Sequence, residues 1–139
     1  MIQVCYASQI TSVENAFSDL RDILTEAKEF NAEHNINGVL YYGDGYFFQC
    51  LEGEEVDVDC LIYKITKDQR HKNMSIFKPK KIIKKNFADW SMKYVARNSF
   101  IYNFFKREGC FNFNPIKLSQ YQIEQLLICL YDINETKIA

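Results

Sequence analysis

Short runs of strand-forming residues alternate with two longer stretches of helical periodicity along the first 97 residues. Ile2-Gln3-Val4-Cys5-Tyr6-Ala7 reads as a first strand, closed by the polar Ser8-Gln9 and Thr11-Ser12. Thr11 and Glu14 have capping-box spacing. Val13, Ala16, Phe17, Leu20, Ile23, Leu24, Ala27 and Phe30 then recur at intervals of three and four, which predicts a helix of about five turns. Between Gly38 and Gly53 two apolar runs flank Gly43-Asp44-Gly45, whose Asp-Gly step supplies the positive backbone angles of a tight hairpin. Glu54 and Glu55 favour a helix start, and Val58, Leu61, Ile62 and Ile65 give a second stripe running to about His71. Strand-like runs follow near 74–84 and 87–95. This order predicts an α+β fold, ferredoxin-like βαββαββ, with both helices side by side on one face of a mixed sheet.

Beyond Arg97 the pattern changes to an aromatic stretch, Phe100, Tyr102, Phe104 and Phe105. After Gly109 and Leu118 come Ile123, Leu126, Leu127, Leu130 and Tyr131 at helical spacing. Residues 1–97 are therefore expected to form one domain. Residues 98–139 should form a helical extension that packs on the sheet or contacts partners. A chain of 139 residues with 47% hydrophobic content suits one core rather than two. No apolar stretch approaches the ~18 residues of a membrane span, and the N-terminus lacks a basic region followed by a long apolar one. Five cysteines at 5, 50, 60, 110 and 129, without a Cys-x-x-Cys pair, suggest neither a disulfide framework nor a metal site, and fit a reducing cytoplasm.

The net charge of -1 conceals an asymmetry. Residues 1–63 hold 12 acidic and 2 basic side chains, 64–117 hold 3 and 14, and 118–139 hold 3 and 1. The densest basic run is Lys78-Pro79-Lys80-Lys81-Ile82-Ile83-Lys84-Lys85. It could meet nucleic acid or an acidic partner, or simply protect an exposed edge strand from pairing with other chains. An RNA-binding module is the alternative function, with Tyr46, Phe47 and Phe48 as a stacking surface. The aromatic-and-glycine signature of such modules is absent, which counts against nucleic acid.

Four polar or sulfur-bearing residues stand in predicted apolar surroundings: Tyr6, Asn31, Gln49 and Met92. A buried amide without a partner costs about 1–3 kcal/mol, so Asn31 and Gln49 each need one, supplied by backbone, side chain or ligand. Tyr6 reads equally as an ordinary strand tyrosine, Trp90 and Met92 as core, His71 as solvated, and Lys64 with Asp68 as a surface pair one helical turn apart. No nucleophile and base pair is evident, so no enzyme is expected.

Taken jointly, these residues resemble a known family. Cys5-Tyr6-Ala7-Ser8, Asn31 before Ile36-Asn37-Gly38-Val39-Leu40, and Gly45-Tyr46-Phe47-Phe48-Gln49-Cys50-Leu51-Glu52-Gly53 are similar to motifs of BLUF (blue light using FAD) domains. So are Lys67-Asp68-Gln69-Arg70-His71 and Phe87-Ala88-Asp89-Trp90-Ser91-Met92, in order and spacing over about residues 2–95. Asp19 to Glu26 and Trp90 to Val95 look closest to short, stand-alone bacterial members, including those of Acinetobacter. Asn37 departs from the threonine found in many members.

The resemblance implies a blue-light photoreceptor with FAD held between the two helices. It implies Tyr6 as electron and proton donor, Gln49 as the amide that rearranges or tautomerises and leaves the flavin red-shifted, and Trp90 and Met92 as the relay to the last strand. Asn31 would hold the pyrimidine edge. Ser8, Lys64, Asp68, Arg70 and His71, together with Tyr6 and Gln49, complete the cofactor-binding set. The output would be contact with a downstream protein, such as a transcriptional regulator, or with a second copy of the chain.

Overall fold

The computed structural model describes residues 1–109 and 114–137; Cys110 lies outside them. β1 (Ile2–Ile10), α1 (Ala16–Glu33), β2 (Asn37–Gly43), β3 (Tyr46–Gly53), α2 (Glu55–Thr66), β4 (His71–Ile76), the two-residue β5 (Lys80–Lys81) and β6 (Lys93–Ala96) follow in order. The sheet runs β4-β1-β3-β2-β6, with β5 also paired to β1. All pairings are antiparallel except β2 with β6, which makes the sheet mixed and bears out the ferredoxin-like α+β class. The β2–β3 hairpin turns on Asp44 and Gly45 at φ 52° and 85°, the positive angles that Asp-Gly tolerates. Gly38 in β2 has a separate reason, since a Cβ there would sit 2.1 Å from the Cys50 carbonyl oxygen of β3.

Strict alternation along the strands sorts the core into two layers. Ile2, Val4, Ile10, Leu40, Phe47, Leu51, Met92 and Tyr94 pack with Leu20 and Leu24 of α1 and Val58 and Leu61 of α2. Cys5, Ala7, Val39, Tyr41, Phe48, Cys50 and Val95 face the other way, toward α3 (Ser99–Arg107) and α4 (Gln120–Asp132). The extension therefore covers the second face of the sheet. Its helices start on side-chain caps: Asn98 Oδ1 accepts from Ile101 N, and Ser119 and Gln122 form a capping box.

Several element boundaries differ from the sequence pattern. Thr11 and Glu14 do not cap α1; Thr11 Oγ1 donates to the Gln69 carbonyl, and the helix begins after Asn15. Val13 and Phe17 are consequently exposed rather than part of the apolar stripe. α2 stops at Thr66 instead of His71 because Asp68 accepts from the Arg70 backbone and side chain, folding 67–70 into a turn. His71 is the first residue of β4.

The run at 74–84 is interrupted by Pro79, which has no N–H to donate to a ladder. Most of 87–95 is loop, since the buried Glu52 carboxylate takes the N–H groups of Asn86 and Phe87 out of any strand pairing. Lys80 and Lys81 do occupy a sheet edge, as the protective reading of the basic run required. β6 has a free edge, and the chain after α4 covers it: Thr136 N donates to the Tyr94 carbonyl and Thr136 Oγ1 accepts from Ala96 N. No helix among the described residues is long and apolar enough to cross a membrane.

Candidate functional site

A cavity of about 540 Å³ opens between α1 and α2 above the sheet. Ile23, Ala27 and Phe30 line it from α1, Leu61 and Ile65 from α2, and Tyr6 and Gln49 from the sheet. The 23/27/30 and 61/65 spacings put these apolar side chains on single helix faces, so the two stripes predicted from periodicity become opposing walls. Charge is confined to the rim: Glu26, Glu29 and Glu33 on one side, Lys64, Lys67, Asp68 and Arg70 on the other.

Tyr6 and Gln49 are direct cross-strand partners, both almost completely buried. The Tyr6 hydroxyl donates to Gln49 Oε1, and Gln49 Nε2 donates onward to the Met92 sulfur at 3.6 Å. Burial, reinforced by the negative charge of Asp68, pushes the Tyr6 hydroxyl far above the ordinary phenol range, so it stays protonated. His71 lies edge-on to the Tyr6 ring, with centroids 6.0 Å apart. Its Nε2 lies 3.0 Å from the Ile65 carbonyl, which can only accept, so Nε2 carries the proton and Nδ1 accepts from Ser8 Oγ at 2.9 Å. Burial lowers the His71 pKa, opposed by Asp68 and the Ile65 carbonyl, and favours this neutral form.

Asn31 is fully buried near the C-terminal end of α1. Its Nδ2 donates to the Ser91 carbonyl at 2.7 Å, while Oδ1 has no partner among the described residues. The rim residues are paired differently from the sequence expectation. Asp68 lies beyond α2 and pairs with Arg70 at 2.6 Å, not with Lys64. Burial alone would raise the Asp68 pKa, but the Arg70 hydrogen bonds outweigh it and lower it. Arg70 also reaches Glu26 on α1 at 2.8 Å, and Lys64 Nζ sits 4.4 Å from the Phe30 ring centroid. Both cations thus span from one wall of the cavity to the other.

Of the residues singled out from sequence, Tyr6, Gln49, Met92, Ser8 and His71 come together in one contact chain, and Lys64, Asp68 and Arg70 meet at the rim. Trp90 does not join them. Its ring packs against Phe87 and Tyr131 on the opposite sheet face. The sequence reading missed Glu26 and Lys67 at the rim and Lys93 behind β6. Glu26 and Lys67 sit in amphipathic stretches where a solvated charge is the ordinary expectation.

A profile of the BLUF family, described as sensors of blue-light using FAD, matches residues 1–93. The chain belongs to the BLUF family. Solved structures of BlsA in its photo-activated and ground states are 47% identical to it with TM-scores of 0.94. They cover 99% and 98% of this chain and 99% and 91% of theirs. A bacterial light-regulated adenylyl cyclase is 32% identical, with a TM-score of 0.67 over 94% of this chain and 35% of its own. Among curated proteins, the photoactivated adenylate cyclase subunit beta of Euglena gracilis is 30% identical over 92 residues. This chain spans about a tenth of that relative's length, and the cyclase activity is the relative's.

The cofactor of BLUF proteins is FAD, and the cavity fits its ring system. A planar, largely apolar ring suits walls of Ile23, Ala27, Phe30, Leu61 and Ile65, and a volume of about 540 Å³ is in the range of small-ligand sites. The sharper observation is the unpartnered Asn31 Oδ1, a buried acceptor that needs an N–H, which a flavin pyrimidine edge carries.

Proposed function

We propose that light is read by the line Tyr6–Gln49–Met92 and passed through β6 to the C-terminal helices, which present the result to a protein partner such as a transcriptional regulator. Residues 1–97 are the sensor in this reading and 98–139 the output. The observation that carries it is the unbroken hydrogen-bonded path from the Tyr6 hydroxyl through Gln49 to the Met92 sulfur. The next side chain, Lys93, leaves from the opposite face of the sheet, beside Trp90, and holds α4.

When bound, FAD supplies an excited state able to accept an electron and a proton. Tyr6 is the donor in reach, a neutral phenol kept protonated by burial. Gln49, which accepts from that hydroxyl, has both a donor and an acceptor end. While Tyr6 O–H donates, the amide oxygen must face it and the amide nitrogen must face Met92. A transient loss of the Tyr6 proton removes the reason for that orientation, and the amide turns over or tautomerises. Met92 then loses its donor, and its flexible thioether repacks against β6. Asn31 holds the ring edge, and Ser8 with neutral His71 stiffens the wall beside Tyr6. Lys64, Asp68 and Arg70 serve the outer, charged parts of the cofactor after exchanging their present partners.

Signalling by contact requires two arrangements of the extension with different affinities for the partner. A cytoplasmic setting suits the free Cys5, Cys50, Cys60 and Cys129. The test is the absorption spectrum of the purified protein before and after blue light, repeated with Tyr6→Phe and Gln49→Ala. The parent should be yellow and shift to the red on illumination, and both variants should stay yellow without shifting. A variant that still shifts refutes the assigned roles.

A further inference from the structure

We infer that the lysine-walled cleft beside α4 docks an acidic, amphipathic protein segment. This rests on the reading that output passes to a protein partner, and it names the surface and the chemistry. The cleft measures about 500 Å³ and lies outside the flavin cavity. One wall is Lys80, Lys84 and Lys85; the other is α4, through Glu124, Leu127, Ile128 and Tyr131; Phe87 forms part of the floor.

Three observations make this a built surface rather than a solvated face. The first is an exposed apolar line on α4: Tyr121, Ile128 and Tyr131 are 65%, 56% and 51% exposed, and Glu124 falls on the same line by its 3/4/3 spacing. Exposed large apolar side chains in a row beside a cleft mark an interaction site more often than scattered ones do. The second is that the lysine wall is held. Buried Glu52 accepts from Asn86 N and Phe87 N at 2.8 Å each, and from Gln3 Nε2 at 2.9 Å. Lys85 donates to the Asn35 carbonyl at 2.6 Å and to Asn37 Oδ1 at 2.8 Å. The third is charge: Lys80 and Lys84 line the cleft with one carboxylate, Glu124, which lies 3.7 Å from Lys80, while the Lys85 ammonium is held by Asn35 and Asn37.

An occupant that satisfies both walls carries carboxylates toward Lys80 and Lys84 and apolar side chains toward Ile128 and Tyr131. That is the description of an amphipathic acidic helix or strand. Nucleic acid is the poorer match, because the α4 wall presents the aliphatic Leu127 and Ile128 beside Tyr131, a surface better suited to apolar side chains than to a run of stacked bases. The site is also wired to the sensor. Tyr131 lines the cleft, its carbonyl accepts from Lys93 Nζ at 2.9 Å, and its ring meets Trp90 at 6.2 Å between centroids.

The experiment selects random 12-residue displayed peptides on the FAD-loaded full chain, in the dark and under blue light. The recovered peptide is then titrated by fluorescence anisotropy, alongside a 12-nucleotide single-stranded RNA. Recovered sequences should carry net negative charge and apolar residues. Binding should weaken at least tenfold in K80E/K84E and at least fivefold in Ile128→Asp, while K106E on α3 leaves it unchanged. Recovery of no binder or of neutral or basic peptides, equal binding by K80E/K84E, or stronger binding of the RNA each overturns the proposal. The flavin spectrum of each sample is recorded together with binding. A normal red shift without acidic-peptide binding refutes the docking site alone; absence of the red shift in the parent refutes the photosensor reading instead.

Discussion

Replacing Asn31 with alanine separates what the flavin needs from what the fold needs. Asn31 Oδ1 is buried without a partner, and a polar atom in that position costs about 1–3 kcal/mol. A ligand N–H that reaches it recovers that cost on binding. Asn31→Ala removes the acceptor, so FAD affinity should fall by about 1–3 kcal/mol, or roughly 5- to 150-fold in Kd. The apoprotein experiences two opposed effects: it loses the 2.7 Å bond from Nδ2 to the Ser91 carbonyl, and it also loses the orphan. Its thermal midpoint should therefore move far less than the affinity does. The assay is titration of FAD into apoprotein followed by flavin fluorescence, with thermal unfolding of the same samples. Asn37→Ala is the control, since its Nδ2 bonds to the Ala88 and Trp90 carbonyls tie down a loop rather than the cavity. An Asn31→Ala protein that binds FAD within twofold of the parent would refute the assignment.

Three further outcomes follow from the same geometry. Lys93 is 1% exposed, and burial lowers its pKa against the pull of Glu135 and Asp132. Lys93→Met should free the end of α4 and speed hydrogen exchange at 131–136 at least tenfold, with the dark flavin spectrum unchanged; unchanged exchange would mean that the lysine does not hold the tail. Glu52→Ala strands the Asn86 and Phe87 N–H groups and should cost about 2–4 kcal/mol in denaturant unfolding, whereas Glu52→Gln, keeping one oxygen, should cost less. For His71, the folded pKa lies below the unfolded value near 6.5, so as pH falls through that value the folded state binds fewer protons than the unfolded state does. Its contribution to stability is fully present above about pH 6.5 and is lost as pH drops through that value toward the folded pKa. His71→Gln should flatten the thermal-midpoint profile between pH 7.5 and 5.5, and an unaltered slope would show that another group governs it.

The sequence by itself determined the order of the major elements, the hairpin at Asp44-Gly45 and the residues for two helix faces, because each is a local property of periodicity or turn chemistry. It also picked out Tyr6, Asn31, Gln49 and Met92, since polar groups at apolar positions are visible in the alternation alone. Element ends were not visible where a distant group decides them. α2 stops because Asp68 turns back on Arg70, and residues 86–87 leave strand pairing because Glu52, more than thirty positions earlier, takes their N–H groups. The rim ion pair between Arg70 and Glu26 spans 44 positions and follows from the spacing of two helices across a cavity. The side of the sheet taken by Trp90, and the use of Lys93 to hold α4, were likewise decided only by tertiary packing. A lysine in a strand reads as solvated until a helix is folded over it.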